Sequence, residues 1–108
     1  MKTENIEVYS HECNSCIVRM PERNFPGVVI QGDSLSVLFH GALELLNDLE
    51  GKVDEETFLG ALALAESLEG HLDNYIATLQ AHGRELPFNG KNGSTQPYQK
   101  YWNDESNS

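Results

Sequence analysis

The chain has 108 residues, enough for one domain, and carries 17 acidic against 7 basic side chains, a formal net charge of −10. That balance counts against direct nucleic-acid binding through phosphates and favours partners with basic surfaces. No apolar run reaches the length of a membrane span and the N-terminus does not read as a signal peptide, so with two cysteines the expected compartment is a reducing cytoplasm.

Ile6-Glu7-Val8-Tyr9-Ser10 alternates apolar and polar residues, the pattern of a half-buried strand. After a polar turn, Cys16-Ile17-Val18-Arg19-Met20 reads as a second strand in a hairpin with the first, ended by Pro21. Pro26-Gly27 is expected to turn the chain again into a third strand, Val28-Val29-Ile30. Its unbroken apolar run predicts burial on both faces and hence a central place in the sheet. Gly32 is expected to leave that strand with a positive φ, and Asp33 to cap a helix over residues 34–50.

The apolar positions of that helix are Leu35, Leu38, Phe39, Ala42, Leu45, Leu46 and Leu49, a stripe of 3.6-residue period. Gly51-Lys52-Val53 reverses the chain, and Asp54 caps a second helix over residues 55–82. There the stripe is Phe58, Ala61, Leu62, Ala65, Leu68, Leu72, Tyr75, Ile76 and Leu79, with Gly83 as the C-terminal cap. The short connection makes the helices an antiparallel hairpin. The expected fold is therefore α+β: a three-stranded antiparallel sheet packed against a long helical hairpin, within a single domain over residues 1–88. Leu86-Pro87-Phe88 adds an edge segment or tucks onto the core. Residues 89–108, rich in Asn, Gly, Ser and Gln, are expected to be a disordered tail interrupted by Tyr98, Tyr101 and Trp102.

The charge is unevenly placed. Residues 33–83 hold ten acids and one lysine, Lys52, whereas the rest of the chain holds seven acids and six bases. The hairpin is thus an acidic face, either a solvated surface or a docking surface for a basic protein. The candidate partner-binding residues are Glu44, Asp48, Glu55, Glu66, Glu69 and Asp73 on the helices, with the tail aromatics Tyr98, Tyr101 and Trp102 as a docking segment for a partner or sister subunit. Glu66, Glu69 and Asp73 lack a histidine at Glu-x-x-His spacing, as a di-metal bundle would require, and read as surface charge.

Other chemistry finds little support. Gly32-Asp33-Ser34-Leu35 resembles the nucleophile block of GDSL-type esterases. There is no late Asp-x-x-His block to supply a base, so the expected role of Asp33 and Ser34 is helix capping. His11-Glu12-Cys13-Asn14-Ser15-Cys16 contains one Cys-x-x-Cys, two ligands where zinc takes four, and it precedes a strand rather than the helix that redox pairs use. His40, His71 and His82 are scattered. No catalytic residue, metal or cofactor is assigned.

Phe25-Pro26-Gly27-Val28-Val29-Ile30-Gln31-Gly32-Asp33-Ser34-Leu35, followed by an amphipathic helix, resembles the N-terminal module of HicB-type antitoxins. In that module a β-hairpin, a Pro-Gly turn and a third strand lead to Gly-Asp-Ser/Thr-Leu at a helix start. The resemblance makes Pro26, Gly27, Gly32, Asp33 and Ser34 a structural motif, and Gly83-Arg84-Glu85-Leu86-Pro87 is similar to the stretch where the module begins a fourth strand. The chain is also similar to a small bacterial family of unknown function sharing this core. It departs from HicB in its second long helix and in having no DNA-binding domain after the module.

Three functions remain open. The first is a non-catalytic protein-binding module, antitoxin-like or immunity-like, neutralising a basic toxin or nuclease through the acidic hairpin or the sheet edge. The second is a small regulatory or structural homodimer, joined through the hairpin or the sheet, without a toxin partner. The third is a small hydrolase using Ser34. The first is preferred, and the third ranks last because no base for Ser34 is evident.

Overall fold

The computed structural model of the chain describes residues 1–11 and 15–103. Three short stretches, the first alternating and the third an unbroken apolar run, form the strands β1 (Glu7–Ser10), β2 (Ser15–Arg19) and β3 (Gly27–Ile30), joined as an antiparallel meander. Two long amphipathic stretches follow as α1 (Gly32–Leu49) and α2 (Glu55–Ala81). A 3-10 turn over Gln96–Tyr98 and a short α3 (Lys100–Asn103) complete an α+β fold.

The turn between β2 and β3 falls earlier than expected. Arg23 N–H donates to Met20 O at 3.0 Å, closing a β-turn over residues 20–23. Pro21 occupies the second position, where its fixed φ suits the turn. Pro26-Gly27 instead leads straight into β3.

β3 is not central. The sheet order is β1-β2-β3, because two short connections place consecutive strands side by side and leave the middle one, β2, inside. All four residues of β3 are exposed. The apolar run that predicted burial on both faces marks a strand for which this chain supplies no cover.

Gly32 and Asp33 also differ from expectation. Gly32 does not have a positive φ. It is buried as the first residue of α1, and a Cβ built on it would lie 2.1 Å from Tyr75 Cζ. Its smallness lets the ring of Tyr75 cross the helix start. The N-cap is Gln31, without a side-chain bond, whereas Asp33 sits inside the first turn and accepts from Ser34 N–H at 2.8 Å. Asp33 still places negative charge at the positive end of the helix dipole.

The rest of the hairpin follows its sequence signals. Asp54 caps α2 by accepting from Thr57 N–H at 3.0 Å. Gly83, at φ +65°, ends it: Arg84 N–H reaches Leu79 O and Gly83 N–H reaches Gln80 O, the paired bonds of a Schellman motif. The core lies along the seam in two clusters. Leu46, Phe58, Leu62, Ala65 and Tyr98 fill the end near the helix–helix turn, while Leu35, Phe39 and Leu72 fill the other. Leu38 and Leu45, expected in the stripe of α1, are half out in solvent, since a single facing helix covers only a narrow seam. Phe88 tucks onto the second cluster and stacks on Tyr75.

No strand residue belongs to either cluster. Val28 and Ile30 instead face Leu35, Leu68 and Tyr75 across an open groove. The radius of gyration, 17.0 Å, exceeds the roughly 13 Å of a compact chain this size, as this extended layout requires.

Gly32→Ala separates two expectations. Helix propensity alone favours alanine by up to ~1 kcal/mol, whereas overpacking against Tyr75 costs about 1–3 kcal/mol. Urea unfolding should show a net loss of stability that shrinks in a Tyr75→Leu background; a gain in stability would contradict the close approach.

Candidate functional site

Acidic residues spaced three or four apart share one helix face, and on α2 that spacing gathers Glu66, Glu69 and Asp73. This face is occupied by the chain's own C-terminal segment. Lys91 Nζ donates to Glu69 Oε2 at 3.0 Å and to Asp73 Oδ1 at 2.8 Å, and lies 5.9 Å from the centroid of Phe39. Thr95 gives both its N–H, at 3.1 Å, and its hydroxyl to Glu69. One turn toward the N-terminus, Glu66 accepts from Gln99 Nε2 at 2.7 Å and from Trp102 Nε1 at 2.8 Å.

The same segment holds α1. Asn92 N–H donates to His40 Nε2 at 2.9 Å, while His40 Nδ1 lies 2.7 Å from Ser36 O. With Nε2 accepting, the proton sits on Nδ1 and is given to that carbonyl. Tyr101 OH donates to Glu50 Oε2. Tyr98 and Tyr101 both pack on Phe58, with ring centroids 5.8 and 4.8 Å away. Residues 91–102 therefore form an ordered strap across both helices, where composition alone predicted a disordered tail. Composition is a poor guide here because the bonds that order the strap come from acids 18 to 36 positions away on α2 and aromatic packing on Phe58.

Glu69 is the centre of the arrangement. Its side chain is 13 % exposed. Burial alone would push its carboxyl up, but the hydrogen bonds from Thr95 and Lys91, with the lysine's charge, hold it below the ordinary value. Burial likewise disfavours the Lys91 ammonium, and its bonds to Asp73 and Glu69 outweigh that and raise it. Burial, followed by the charge of Glu50, raises the Tyr98 phenol.

The expected partner-binding residues thus separate. Glu66, Glu69 and Asp73 are engaged by the strap rather than standing as plain surface charge. Tyr98 is buried in the core and Tyr101 is half-buried, so these two are structural aromatics. Trp102 stays 42 % exposed at the end of the strap. Glu44, Asp48 and Glu55 remain exposed, as does Glu56. Glu44 also lines a cleft between α1 and the strap, with His40, Asn47, Asn92 and Ser94. Sequence reasoning missed Lys91, Thr95 and Gln99. Lys91 and Thr95 lie in irregular chain before the 3-10 turn, so no periodicity pointed to them.

Ser34 borders a shallow groove with Ser15, Ile30, Val37 and Leu38, none of them titratable. Cys16 is partly buried on β2, and Glu12, Cys13 and Asn14 lie outside the described residues. Among the described residues no cluster of three His, Cys, Asp or Glu side chains is placed to hold a metal ion, and no helix is long and apolar enough to cross a membrane.

Residues 1–88 match the model of a family of unknown function, DUF6959. No curated protein and no solved structure matches the chain.

Two experiments test the strap through Trp102, the single tryptophan. Glu69 has a folded pKa below the ordinary 4.5, so its contribution is fully present above pH 4.5 and is lost as pH falls through the lower folded value. Lys91, raised above 10.5, contributes fully below pH 10.5 and loses its part as pH rises through the folded value. Trp102 emission should hold steady between these limits and shift to the red on acidification below pH 4.5. Glu69→Ala, which leaves Thr95 without its acceptor and Lys91 with Asp73 alone, should cost about 1–3 kcal/mol in urea unfolding and red-shift Trp102 at neutral pH. Unchanged emission in the variant would mean that the strap does not depend on this carboxylate.

Proposed function

Given that the chain belongs to DUF6959, whose function is unassigned, we propose that it is a non-catalytic protein-binding module of the antitoxin or immunity type. It acts in the cytoplasm by covering the working surface of a basic toxin or nuclease with its acidic hairpin. One observation carries this reading: the acidic face of α2 already holds a segment of cationic, hydroxyl and aromatic side chains, the chain's own Lys91, Thr95 and Trp102. The same field of charge continues beyond the strap at Glu44, Asp48, Glu55 and Glu56, which are exposed. Of these, Glu44 and Asp48 stand one helical turn apart on α1. Against these four exposed carboxylates the hairpin sets one base, Lys52 in the turn between the helices.

The resemblance of the β3–α1 segment to HicB-type antitoxins supports the same class of role. The lining of the Ser34 groove, without a titratable group, gives a hydrolytic alternative no base to start from. A second reading, a small oligomer with no toxin partner, is favoured by one separate observation, the uncovered strand β3.

The test is co-purification from the native host with a tagged chain, followed by toxicity assays of whatever small basic protein is recovered. The expected partner is toxic alone and harmless when co-expressed. Charge reversal at Glu44, Asp48 and Glu55 to lysine should weaken its binding at least tenfold, with a fall in association rate that vanishes at high salt. A partner whose affinity ignores these three substitutions would place recognition elsewhere on the molecule.

A further inference from the structure

The sheet has two edges, and they are built differently. β1 is blunted: its register with β2 shifts between Val8 and Ser10, and Glu7 on it forms an ion pair with Arg19. Bulges and charges are the ordinary devices that keep an edge strand from pairing with another chain. β3 has neither. It runs Gly27-Val28-Val29-Ile30 with an unbroken register against β2, no charge and no proline within it. Val28, Val29 and Ile30 are 54 %, 40 % and 45 % exposed. The apolar surface does not stop at the strand, since Val37 and Leu38 of α1 stand exposed beside Ile30. Backbone groups on the free side of such a strand are a template for one more strand.

Charge identifies what sits there. Residues 1–31 carry four acids and three bases, a net of −1, whereas residues 32–83 carry a net of −9. Two copies meeting hairpin to hairpin would bring two acidic surfaces together, each of −9 only partly offset by Lys91 and Lys100 of the strap. Two copies meeting through their sheets bring together nearly neutral surfaces. A basic partner has the opposite preference. An antiparallel strand also pairs with its own copy about a two-fold axis, so one sequence satisfies both sides.

We propose that β3 is the homodimer edge: two copies pair β3 against β3, antiparallel, into a continuous six-stranded sheet with the acidic hairpins turned away from each other. Val37 and Leu38 extend the contact beyond the backbone ladder. The dimer leaves Glu44, Asp48 and Glu55 free. It rests on the uncovered strand of the second reading above and not on the acidic face.

The experiment is light scattering on the full chain after size exclusion, from about 1 to 200 μM, the range in which a dimer of micromolar affinity is resolved. The expected mass rises with concentration to twice the 12.1 kDa chain. Val28→Glu/Val29→Glu and Val28→Lys/Val29→Lys should each be monomeric with unchanged helical circular dichroism, and mixing the two should restore a dimer. On the unmodified chain, hydrogen exchange at residues 28–30 should slow at least tenfold between the dilute and concentrated ends. High salt should leave the dimer intact, whereas it weakens capture of a basic partner, so the two readings fail separately. The proposal is overturned by a constant mass of one chain, by a dimer that both double variants retain, by folded variants that do not pair when mixed, or by exchange at residues 28–30 that ignores concentration. A strand of another protein on β3, with the chain monomeric alone, would overturn it as well.

Discussion

Two helices have only one seam between them, and that geometric limit governs the molecule. Each of the long helices α1 and α2 turns one stripe inward, and Leu46, Phe58, Leu62 and Leu72 disappear along it. Everything off that line needs another layer. The strap supplies it at the turn end, where Tyr98 and Tyr101 close over Phe58. Phe88 supplies it at the other end, against Tyr75 and the Leu35–Phe39–Leu72 cluster. Over the outer surfaces of Leu38, Leu45 and Leu64 there is no such layer, and these side chains stay in water. The sheet does not serve as the third layer either: Val18 on the middle strand is buried, but Val8, Val28, Val29 and Ile30 on the outer strands remain exposed.

The acidic residues take on a different meaning beside the strap. Crowding ten acids into one hairpin costs stability through mutual repulsion. Lys91 offsets part of that by sitting between Glu69 and Asp73, and Gln99 and Trp102 give Glu66 neutral donors. What is left over is concentrated at the helix–helix turn. The charge seen in the sequence as one broad acidic face is therefore two regions, one closed by the chain itself and one open to solvent.

Local signals were legible in the sequence wherever the determining contact is close in the chain. The Asp54 cap and the Gly83 terminator rest on partners within about one turn, the stripe of α2 is written in its own period, and all three fall where the residues predict. The misreadings share a cause. Gly32 is small because of Tyr75, 43 positions later, and a glycine before a helix looks the same whether it serves φ or space. β3 carries the pattern of a covered strand, and the pattern does not say which chain covers it. The strap has the composition of a disordered segment, and its order is donated by Glu50, Glu66 and Glu69, which no local window contains. Of the candidate site, the acidic residues were visible from spacing alone. Their division into engaged and free was not, since it depends on Lys91 and Thr95 arriving from the far end of the fold.

The position of Tyr98 has a consequence for how this molecule is divided. Similarity to the family ends at residue 88, yet the hydrophobic interior continues ten residues further, into a phenol ring buried beside Leu62 and Phe58. The border of shared ancestry and the border of the packed interior do not coincide. A fragment trimmed to the family limits would open the broad side of the Phe58 ring to water and leave Glu69 with a half-buried charge and no counterion. For this chain, the packed interior reaches at least to Tyr98, with Tyr101 closing over Phe58 beside it.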